Sequence, residues 1–471
     1  MTSNPQEQIL KTRDDHAPVR FCAETASDSD EQVFRLSENA KCSWAKTTES
    51  FGPKQLRPRI EPWLTALFQS EHLSVLAGSG LTHAVHRMAT GTALPGMATS
   101  TFTTFRNEIT SEAKRTAKAA GRSEGNIEDQ IRVANELLRG LQILAAVETD
   151  DANVIKKASE LKQELQDILD EFAASILKGE AGLISAADYE LEQSFNYAVS
   201  FLMSFASRSG TRDRLHLFTT NYDRYIEATA DLAGLRLVDR FVGALTPVFR
   251  SSRLDVDMHY NPPGIRGEPR YLEGVARFTK LHGSVDWVDS GKVIRRIGLP
   301  FGAQGITPYM NAPGLGEAGA LKLMIFPNAS KDRETASYPY VELFRDFAAA
   351  TCRPNSTLVC YGYSFGDEHI NRVIEDMLTI PSAHLVIMSY DDPLGRVMDM
   401  YESLGRPAQV TLLIGDHLAD FQTLVDQYLP KPAIDRTTFR MAELLKARWG
   451  THQNDADTAT PAPPDEGGQD S

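Results

Sequence analysis

The sequence predicts an α/β protein in which a Rossmann-like parallel sheet is covered by helices on both faces and carries a helical insertion. Short apolar runs, typical of strands buried on both faces, recur along the chain. They are LSVLAG at 73–78, LHLFTT at 215–220, LKLMIFP at 321–327, TLVCYGYS at 357–364, HLVIMS at 384–389 and VTLLIG at 410–415. Several alternate with helical patterns such as HINRVIEDML and LADFQTLVDQYL, which favours a parallel sheet. Ligands of such sheets bind beyond the carboxyl ends of the strands, so the residues after each run are candidate site residues.

The helical insertion is predicted from the region between about 103 and 209, which is almost free of strand patterns. Apolar side chains recur there at spacings of three and four, which indicates one buried helix face. They are Val154, Ala158, Leu161, Leu165, Ile168, Phe172 and Ile176. The opposite face carries Lys157, Glu160, Lys162, Glu164 and Asp167. We interpret that polar face as a solvated surface rather than as a charged interface.

Both ends of the chain are expected to lie outside the main fold. Residues 1–55 are polar and lack sustained periodicity, so we interpret them as an N-terminal extension. The main domain is expected over 56–440, with the insertion at 103–209 inside it. The segment 451–471 has five acidic residues, no Lys or Arg, and the run TATPAPPDEGGQDS. This composition predicts a disordered acidic tail.

Composition and charge exclude several classes of protein. The 471 residues are 42% hydrophobic and 24% charged, which are globular values. The 49 Lys and Arg against 63 Asp and Glu leave a net charge of −14, which argues against general electrostatic binding of nucleic acid. The sequence predicts neither a membrane span nor a signal peptide, so we expect a cytoplasmic protein. The four cysteines form no CxxC pair, so we expect no metal site.

The first candidate site segment is Gly78-Ser-Gly-Leu-Thr82, which follows the first predicted strand. Glycines let the backbone approach a pyrophosphate, and the amides of a following helix can donate to it. Such a turn also occurs without any ligand. The segment matches neither GxxxxGK[ST] nor a complete GxGxxG, which disfavours a P-loop ATPase and a dehydrogenase.

The second segment, Phe218-Thr-Thr-Asn-Tyr-Asp223, follows the second strand. The Asn221 amide and the Asp223 carboxylate could bind ribose hydroxyls, a water molecule or a carboxamide. The alternative is that Asn221 caps the next helix and Asp223 interacts favourably with the helix dipole.

Two further segments carry polar groups at predicted strand ends. KLHGSVDW at 280–287 contains His282, a candidate base because imidazole titrates near neutrality. A lone histidine is also commonly structural. GYSFGDEHIN at 362–371 places a small, hydroxyl-bearing turn before a helix, and its alternative interpretation is a tight turn with a helix cap.

In this order the four segments resemble the sirtuin family, and specifically its bacterial sirtuin-like branch associated with NAD-consuming antiviral defence. Sirtuins show a glycine loop, a Gln-Asn-x-Asp element, a His-Gly element and a Gly-x-Ser element. The matching strings are GSGLT, TTNYD, KLHGSVDW and GYSFGDEHIN. The resemblance spans about residues 70–430 and implies that 56–440 form a sirtuin-like NAD-binding catalytic domain.

The resemblance implies a role for each matching position. Asn221 would hold the nicotinamide ribose or the attacking water, and His282 would be the base or contact ribose hydroxyls. Asp223 would face the carboxamide. The remaining positions would bind phosphate, ribose or adenosine, and they are Gly78, Ser79, Thr82, Gly362 and Ser364, with Asp391 or Asp416 near adenosine. Asp416 belongs to a Gly-Asp-His turn that is similar to the Gly-Asp-Cys turn of many sirtuins.

The sequence also departs from the pattern of sirtuin deacylases. Thr220 replaces the usual Gln, the glycine loop lacks the usual Ala between its glycines, and no clear Pro-x-Phe-Arg follows. Deacylases generally carry a small domain with four zinc-binding cysteines, which this chain cannot build from cysteine pairs. The helical insertion stands where an accessory domain would be built. Water is therefore the expected acceptor, and no metal is expected to be required.

The resulting expectation is an NAD⁺ hydrolase that releases nicotinamide and ADP-ribose through a transition state with positive charge on the sugar. A cyclic product is an alternative. Similarity to the sirtuin subunit of sirtuin–HerA pairs implies a toxic effector of anti-phage defence by abortive infection, a homo-oligomer, and a HerA/FtsK-type ATPase partner. The alternative functions are a protein deacylase or ADP-ribosyltransferase, and a non-catalytic module that senses NAD or ADP-ribose.

Overall fold

The structure, a computed structural model, describes residues 7–431 apart from several gaps. The gaps are 14, 25–31, 120–123, 148–150, 209–210, 253–256, 261–269, 292, 312–313, 316–322 and 324–337. The predicted strand LKLMIFP lies outside the described residues except for Leu323, and the predicted tail at 451–471 lies wholly outside them. All described residues except Lys431 belong to one compact unit, 1–430.

The strands that the structure describes form one large sheet and two small ones. In chain order they are β1 (Glu7–Lys11), β2 (Val19–Ala23), β3 (Phe34–Leu36), β4 (Ser50–Phe51), β5 (His72–Ala77), β6 (His216–Thr219), β7 (Arg236–Val238), β8 (Phe241–Val242), β9 (Val248–Phe249), β10 (His259–Tyr260), β11 (Arg270–Tyr271), β12 (Val275–Lys280), β13 (Trp287–Asp289), β14 (Ile294–Arg296), β15 (Ser356–Tyr361), β16 (His384–Ser389) and β17 (Val410–Ile414). The large sheet has the order β4-β3-β2-β1-β17-β16-β15-β5-β6-β12-β7. The strands from β17 to β7 are parallel, whereas β1 to β4 are antiparallel.

The described α-helices lie between and after the strands along the chain. They are α1 (Pro53–Phe68), α2 (Ser79–Thr90), α3 (Arg106–Ala119), α4 (Ile127–Val147), α5 (Ala152–Ile184), α6 (Asp188–Ala206), α7 (Tyr225–Leu232), α8 (Tyr340–Thr351), α9 (Glu368–Leu378), α10 (Arg396–Leu404) and the short α11 (Phe421–Thr423). A π-helix, Leu424–Tyr428, follows α11. The predicted helix LADFQTLVDQYL is therefore a short helical turn and a π-helix in the structure.

Two apolar cores lie on opposite faces of the large sheet. Successive strand residues alternate between them, so that Val359 and Tyr361 pack in one core while Leu358 and Cys360 pack in the other. The first core contains side chains of α1, α2, α6 and α7, and the second contains side chains of α8, α9 and α10. This arrangement confirms the predicted α/β fold with helices on both faces.

Helices α3 to α6 lie between strands β5 and β6. A third core holds Leu161, Leu165 and Phe172 of α5 together with side chains of α3 and α4, which confirms the predicted apolar face. The Asp151 carboxylate caps α5 by accepting hydrogen bonds from the Asn153 and Val154 amides. Helix α6 packs in the first core of the sheet instead.

The N-terminal segment contributes four strands to the large sheet. β1 pairs antiparallel with β17, with Leu10 opposite Leu413, and β2, β3 and β4 continue outwards. These strands have two to five residues, and runs this short give little periodicity in the sequence. The sequence therefore predicts no strands in this segment.

Three further features of the described residues are the state of the cysteines, the grouping of metal-ligating side chains and the apolarity of the helices. All four cysteines are free, and no group of three or more metal-ligating side chains is found within the described part of the chain. Among the helices that the structure describes, none combines the length and apolarity of a membrane span.

Candidate functional site

Four polar segments meet at one edge of the large sheet. β15, β5, β6 and β12 are neighbours in that order and run parallel, so their carboxyl ends meet. GYSFGDEHIN, GSGLT, TTNYD and KLHGSVDW begin at or just after the last residues of these strands. A cavity of about 400 Å³ lies at this edge, which we call the first cavity. Its lining includes the predicted site residues Gly78, Ser79, Thr82, Asn221, Asp223, His282, Gly362 and Ser364.

The glycine loop packs directly against the loop after β15. The Gly80 amide donates to the Gly362 carbonyl oxygen at 3.1 Å, and a Cβ built on Gly80 would lie 2.6 Å from the Gly362 Cα. Gly362 has a φ of 60°, in the left-handed region that favours glycine. The close contact between the two loops therefore explains these glycines, independently of any phosphate.

Asn221 is the centre of a hydrogen-bonded chain. Its Nδ2 donates to the Gly78 carbonyl oxygen and to the Thr82 hydroxyl, each at 2.9 Å. The Thr82 hydroxyl in turn donates to Asp223 Oδ2 at 2.8 Å. Both amide hydrogens of the buried Asn221 are therefore used, and its Oδ1 accepts no hydrogen bond within the described part of the chain. That oxygen is left to accept a hydrogen bond from a water or a hydroxyl.

The helix-capping interpretation of Asn221 is wrong, because its side chain does not cap α7. Asp223 fits that interpretation better, since its Oδ1 accepts a hydrogen bond from the Tyr225 amide at 3.2 Å. One carboxylate oxygen of Asp223 thus stabilises the start of α7, and the other holds Thr82 beside Asn221.

His282 is paired with a carboxylate from the loop after β15. Its Nε2 lies 2.8 Å from Asp367 Oδ2, and both side chains are mostly buried. The other oxygen of Asp367 caps α9 by accepting from the His369 amide at 3.1 Å. A carboxylate accepts hydrogen bonds, so this pair favours the tautomer in which His282 carries its proton on Nε2. Its Nδ1, which bonds to none of the described residues, is then free to accept a proton.

Two buried ion pairs hold the loop that carries Asn221 and Asp223. The Arg224 amide and Nε donate to Glu180 Oε1 at 2.9 and 3.1 Å, which ties the loop to helix α5. Lys280 Nζ donates to Glu227 Oε1 at 3.0 Å and also to the Asp223 carbonyl oxygen, which ties it to β12. Removing one partner of such a buried pair would leave an uncompensated charge.

The insertion forms the other wall of the first cavity. Residues 94–97 and side chains from α4 and α5, including Glu128 and Phe172, line it. The Tyr222 hydroxyl donates to Glu128 Oε1 at 3.1 Å, and its ring packs edge-on against Phe172 with centroids 5.9 Å apart. The insertion therefore contacts the predicted site directly, through a wall that begins before residue 103.

A second cavity of about 680 Å³ adjoins the first. The two share the lining residues Ser79, His83, Gly362, Tyr363, Ser364 and Arg396. The second cavity extends to the loop after β16 and includes Asp391. Asp416 lines neither cavity, and its Oδ1 accepts a hydrogen bond from Gln8 Nε2 at 2.5 Å. The structure thus brings together all the predicted site residues except Asp416.

Four charged side chains of the first cavity were not predicted from the sequence, namely Glu128, Asp129, Asp367 and Arg396. Asp367 lies within the segment GYSFGDEHIN, where its acidic side chain just before a helix was the available signal. Glu128 and Arg396 lie outside the four segments and carry no comparable signal. His83 was missed as well, and burial lowers its pKa despite the opposing effect of Asp223.

Comparison with known proteins matches part of the chain to a protein family. No curated protein matches the chain. Residues 215–404 match the family model of the SIR2-like domain, and this range contains Asn221, His282 and Asp367. The match does not include the glycine loop or the helices of the insertion. Residues 215–404 are thus similar to the SIR2-like domain, and the match is consistent with chemistry that uses NAD.

Proposed function

We propose that the protein is an NAD⁺ hydrolase that cleaves the bond between nicotinamide and ribose. The observation that carries this proposal is the pair of unused acceptor atoms, Asn221 Oδ1 and His282 Nδ1, on side chains that line one cavity. Each can accept a hydrogen bond from a water molecule or a ribose hydroxyl. Two acceptors fixed by their other hydrogen bonds suit the positioning of a nucleophile.

The charge around the first cavity supports the same reaction. Four carboxylates line it, those of Glu128, Asp129, Asp223 and Asp367, against the single guanidinium of Arg396 among the described lining residues. The substrate's nicotinamide is cationic, and positive charge moves onto the sugar as the glycosidic bond breaks. An acidic surrounding stabilises that charge during the reaction.

In the proposed step, the bond between ribose C1′ and the nicotinamide nitrogen breaks, and its electron pair stays on nicotinamide. A water oxygen forms the new bond to C1′, and the water proton passes to His282 Nδ1. Nicotinamide leaves as a neutral base, so no general acid is needed. The products are nicotinamide and ADP-ribose. A cyclic product would form if a nucleophilic atom of the substrate itself attacked C1′ in place of water.

Water as the acceptor is supported by the insertion. Its residues line the first cavity together with the segments at the strand ends, which limits the space for a large acceptor. A deacylase would need room beside the same ribose for an acylated protein. An ADP-ribosyltransferase would need room there for an acceptor protein.

The test is nicotinamide release from NAD⁺ by the purified protein, followed by chromatography. We expect His282→Ala to lower turnover by about 10²- to 10⁴-fold, the usual contribution of a general base. Asn221→Ala should act similarly, and its melting temperature reports the added loss of two buried hydrogen bonds. His16→Ala is the matched control, because His16 is exposed and lines neither cavity.

Three outcomes would redirect the assignment. Full turnover by folded His282→Ala would remove that residue from the mechanism. Faster nicotinamide release with an acylated peptide, together with acyl-ADP-ribose, would select the deacylase. Saturable NAD⁺ binding without nicotinamide release would select the sensor.

The biological role is proposed from the resemblance to sirtuins of antiviral defence. We propose that the hydrolase depletes NAD⁺ in infected bacterial cells, acts in the cytoplasm as a homo-oligomer, and is controlled by a HerA/FtsK-type ATPase. An unregulated enzyme of this kind would harm its own cell, which is why a controlling partner is expected.

A further inference from the structure

The wall shared by the two cavities carries a positive charge. Of the six residues common to both linings, Arg396 is the one with a permanently charged side chain. The other ionisable groups there are His83 and Tyr363, and both are mainly neutral at pH 7, because burial lowers the pKa of His83 and raises the pKa of Tyr363. The junction between the cavities is therefore positively charged.

The Arg396 guanidinium makes no hydrogen bond or ion pair with the described part of the chain, although the side chain is half-buried. Two aspartates of the second cavity accept hydrogen bonds from backbone amides. Asp392 accepts from the amides of Val397 and Met398 at 3.1 and 3.0 Å, and Asp420 accepts from the Thr423 amide at 3.0 Å. A half-buried guanidinium without a partner has five donors available for an anionic ligand.

The guanidinium and the Ser364 hydroxyl border the same space. A Cβ built on Gly366 would lie 3.1 Å from Arg396 Nη1 and 3.5 Å from Ser364 Oγ. Any side chain at position 366 would therefore fill the space where both groups could contact one ligand. Glycine leaves that space open.

The charges form a sequence along the two cavities. Four carboxylates line the first cavity, Arg396 lies at the junction, and Asp391, Asp392 and Asp420 line the second cavity together with the exposed Arg87. A dinucleotide with a cationic pyridinium end, an anionic pyrophosphate in the middle and a neutral nucleoside at the other end matches this order.

We propose that Arg396 binds the pyrophosphate of the substrate and thereby fixes a dinucleotide across both cavities. This inference rests on the proposed function for the identity of the reacting end, but it concerns binding rather than chemistry. Guanidinium forms bidentate, charge-assisted hydrogen bonds to phosphate oxygens. Arg396 is then a binding residue, and its loss should weaken the affinity for ligands that contain pyrophosphate.

The test measures binding of ADP-ribose and of adenosine by calorimetry, which requires no turnover. Arg396→Gln should raise the Kd of ADP-ribose about ten- to hundredfold, the range for a hydrogen bond to a charged group. The Kd of adenosine should not change. Arg406→Gln is the matched control, because it removes an exposed positive charge just beyond the end of α10, and it should leave both Kd values unchanged.

A second readout separates this proposal from the catalytic one. Arg396→Gln should raise KM for NAD⁺ and leave hydrolysis of nicotinamide riboside, which has the same scissile bond but no phosphate, unchanged. An unchanged Kd for ADP-ribose in folded Arg396→Gln would overturn the proposal. If the wild-type protein bound ADP-ribose through Arg396 but released no nicotinamide from NAD⁺, the proposed function would fail and this inference would stand.

Discussion

At the residue scale, the pairing of His282 with Asp367 determines which imidazole nitrogen can accept a proton. Asp367 Oδ2 lies 2.8 Å from His282 Nε2, while its Oδ1 caps helix α9. The carboxylate therefore has two separable roles, one in orienting His282 and one in stabilising the helix. A substitution that preserves only the second role can distinguish them.

We predict that Asp367→Asn lowers kcat for NAD⁺ hydrolysis by about 10²- to 10⁴-fold, as expected when a histidine base is held in the wrong tautomer. The amide oxygen of asparagine can still cap α9, because Asn is as good a capping residue as Asp. The melting temperature and KM should therefore stay close to those of the wild-type protein. Steady-state kinetics and thermal unfolding measure both effects.

The matched control is Asp151→Asn, which changes the aspartate that caps α5 without touching either cavity. It should leave kcat and stability nearly unchanged. If Asp367→Asn lowered the melting temperature and left kcat intact, Asp367 would be only a helix cap.

The sequence predicted the site residues that belong to the four segments, but not their partners. His282 and Asn221 could be found because each lies at the end of a predicted strand. Asp367 could not be assigned to His282, because β5 and β6 separate β15 from β12 in the sheet. Only the folded order of strands shows that a side chain after one reaches a side chain after the other.

At the element scale, the site depends on the loops after β5 and β15. Their backbones lie so close together at Gly80 and Gly362 that no side chain fits between them. We predict that Gly80→Ala destabilises the fold by about 1–3 kcal/mol, the usual cost of overpacking. Its Cβ would lie 2.6 Å from the Gly362 Cα, a backbone atom that cannot move aside cheaply. Turnover should fall as well, because the same loop supplies the Gly78 carbonyl that holds Asn221.

Chemical denaturation measures this loss, with Gly140→Ala as the control. Gly140 lies within α4, and a Cβ there would have no neighbour within 4 Å. Alanine should be neutral or stabilise by up to about 1 kcal/mol, because glycine is a poor helix former. Equal stability of Gly80→Ala and the wild-type protein would contradict the loop-contact explanation of the glycines.

The parallel strands and α5 were predictable because long apolar runs and a sustained helical period have one simple explanation. The antiparallel strands β1 to β4 were not predictable, because they are short and have no sustained pattern. They are stabilised in the sheet through the pairing of β1 with β17, about 400 positions later in the chain. Likewise, the contact of Tyr222 with Glu128 and Phe172 depends on how the insertion folds back over the sheet. Tertiary contacts of this kind leave no local pattern.

At the scale of the whole molecule, the apolar face of α5 is used within the chain. Leu161, Leu165 and Leu169 are fully buried in the core of the insertion, so this face is not available to a second subunit. Apolar side chains remain exposed near the facing ends of α4 and α5, where Val147 is 77% exposed and Ile155 is 46% exposed. Exposed apolar groups in one region are typical of surfaces that contact other proteins.

We predict that the purified protein forms a homo-oligomer and that its hydrolase activity changes when a HerA/FtsK-type ATPase binds. The resemblance to sirtuins of antiviral defence motivates this prediction, and the exposed ends of α4 and α5 are the surface expected to take part. Multi-angle light scattering gives the mass, and nicotinamide release with and without the ATPase gives the regulation. Val147→Asp should reduce the oligomer mass, because it buries a charge in the contact, whereas Lys162→Asp, further along the exposed face of α5, should not. A fully active monomer, unaffected by the ATPase, would contradict the prediction and leave the assignments of Asn221, His282 and Arg396 unchanged.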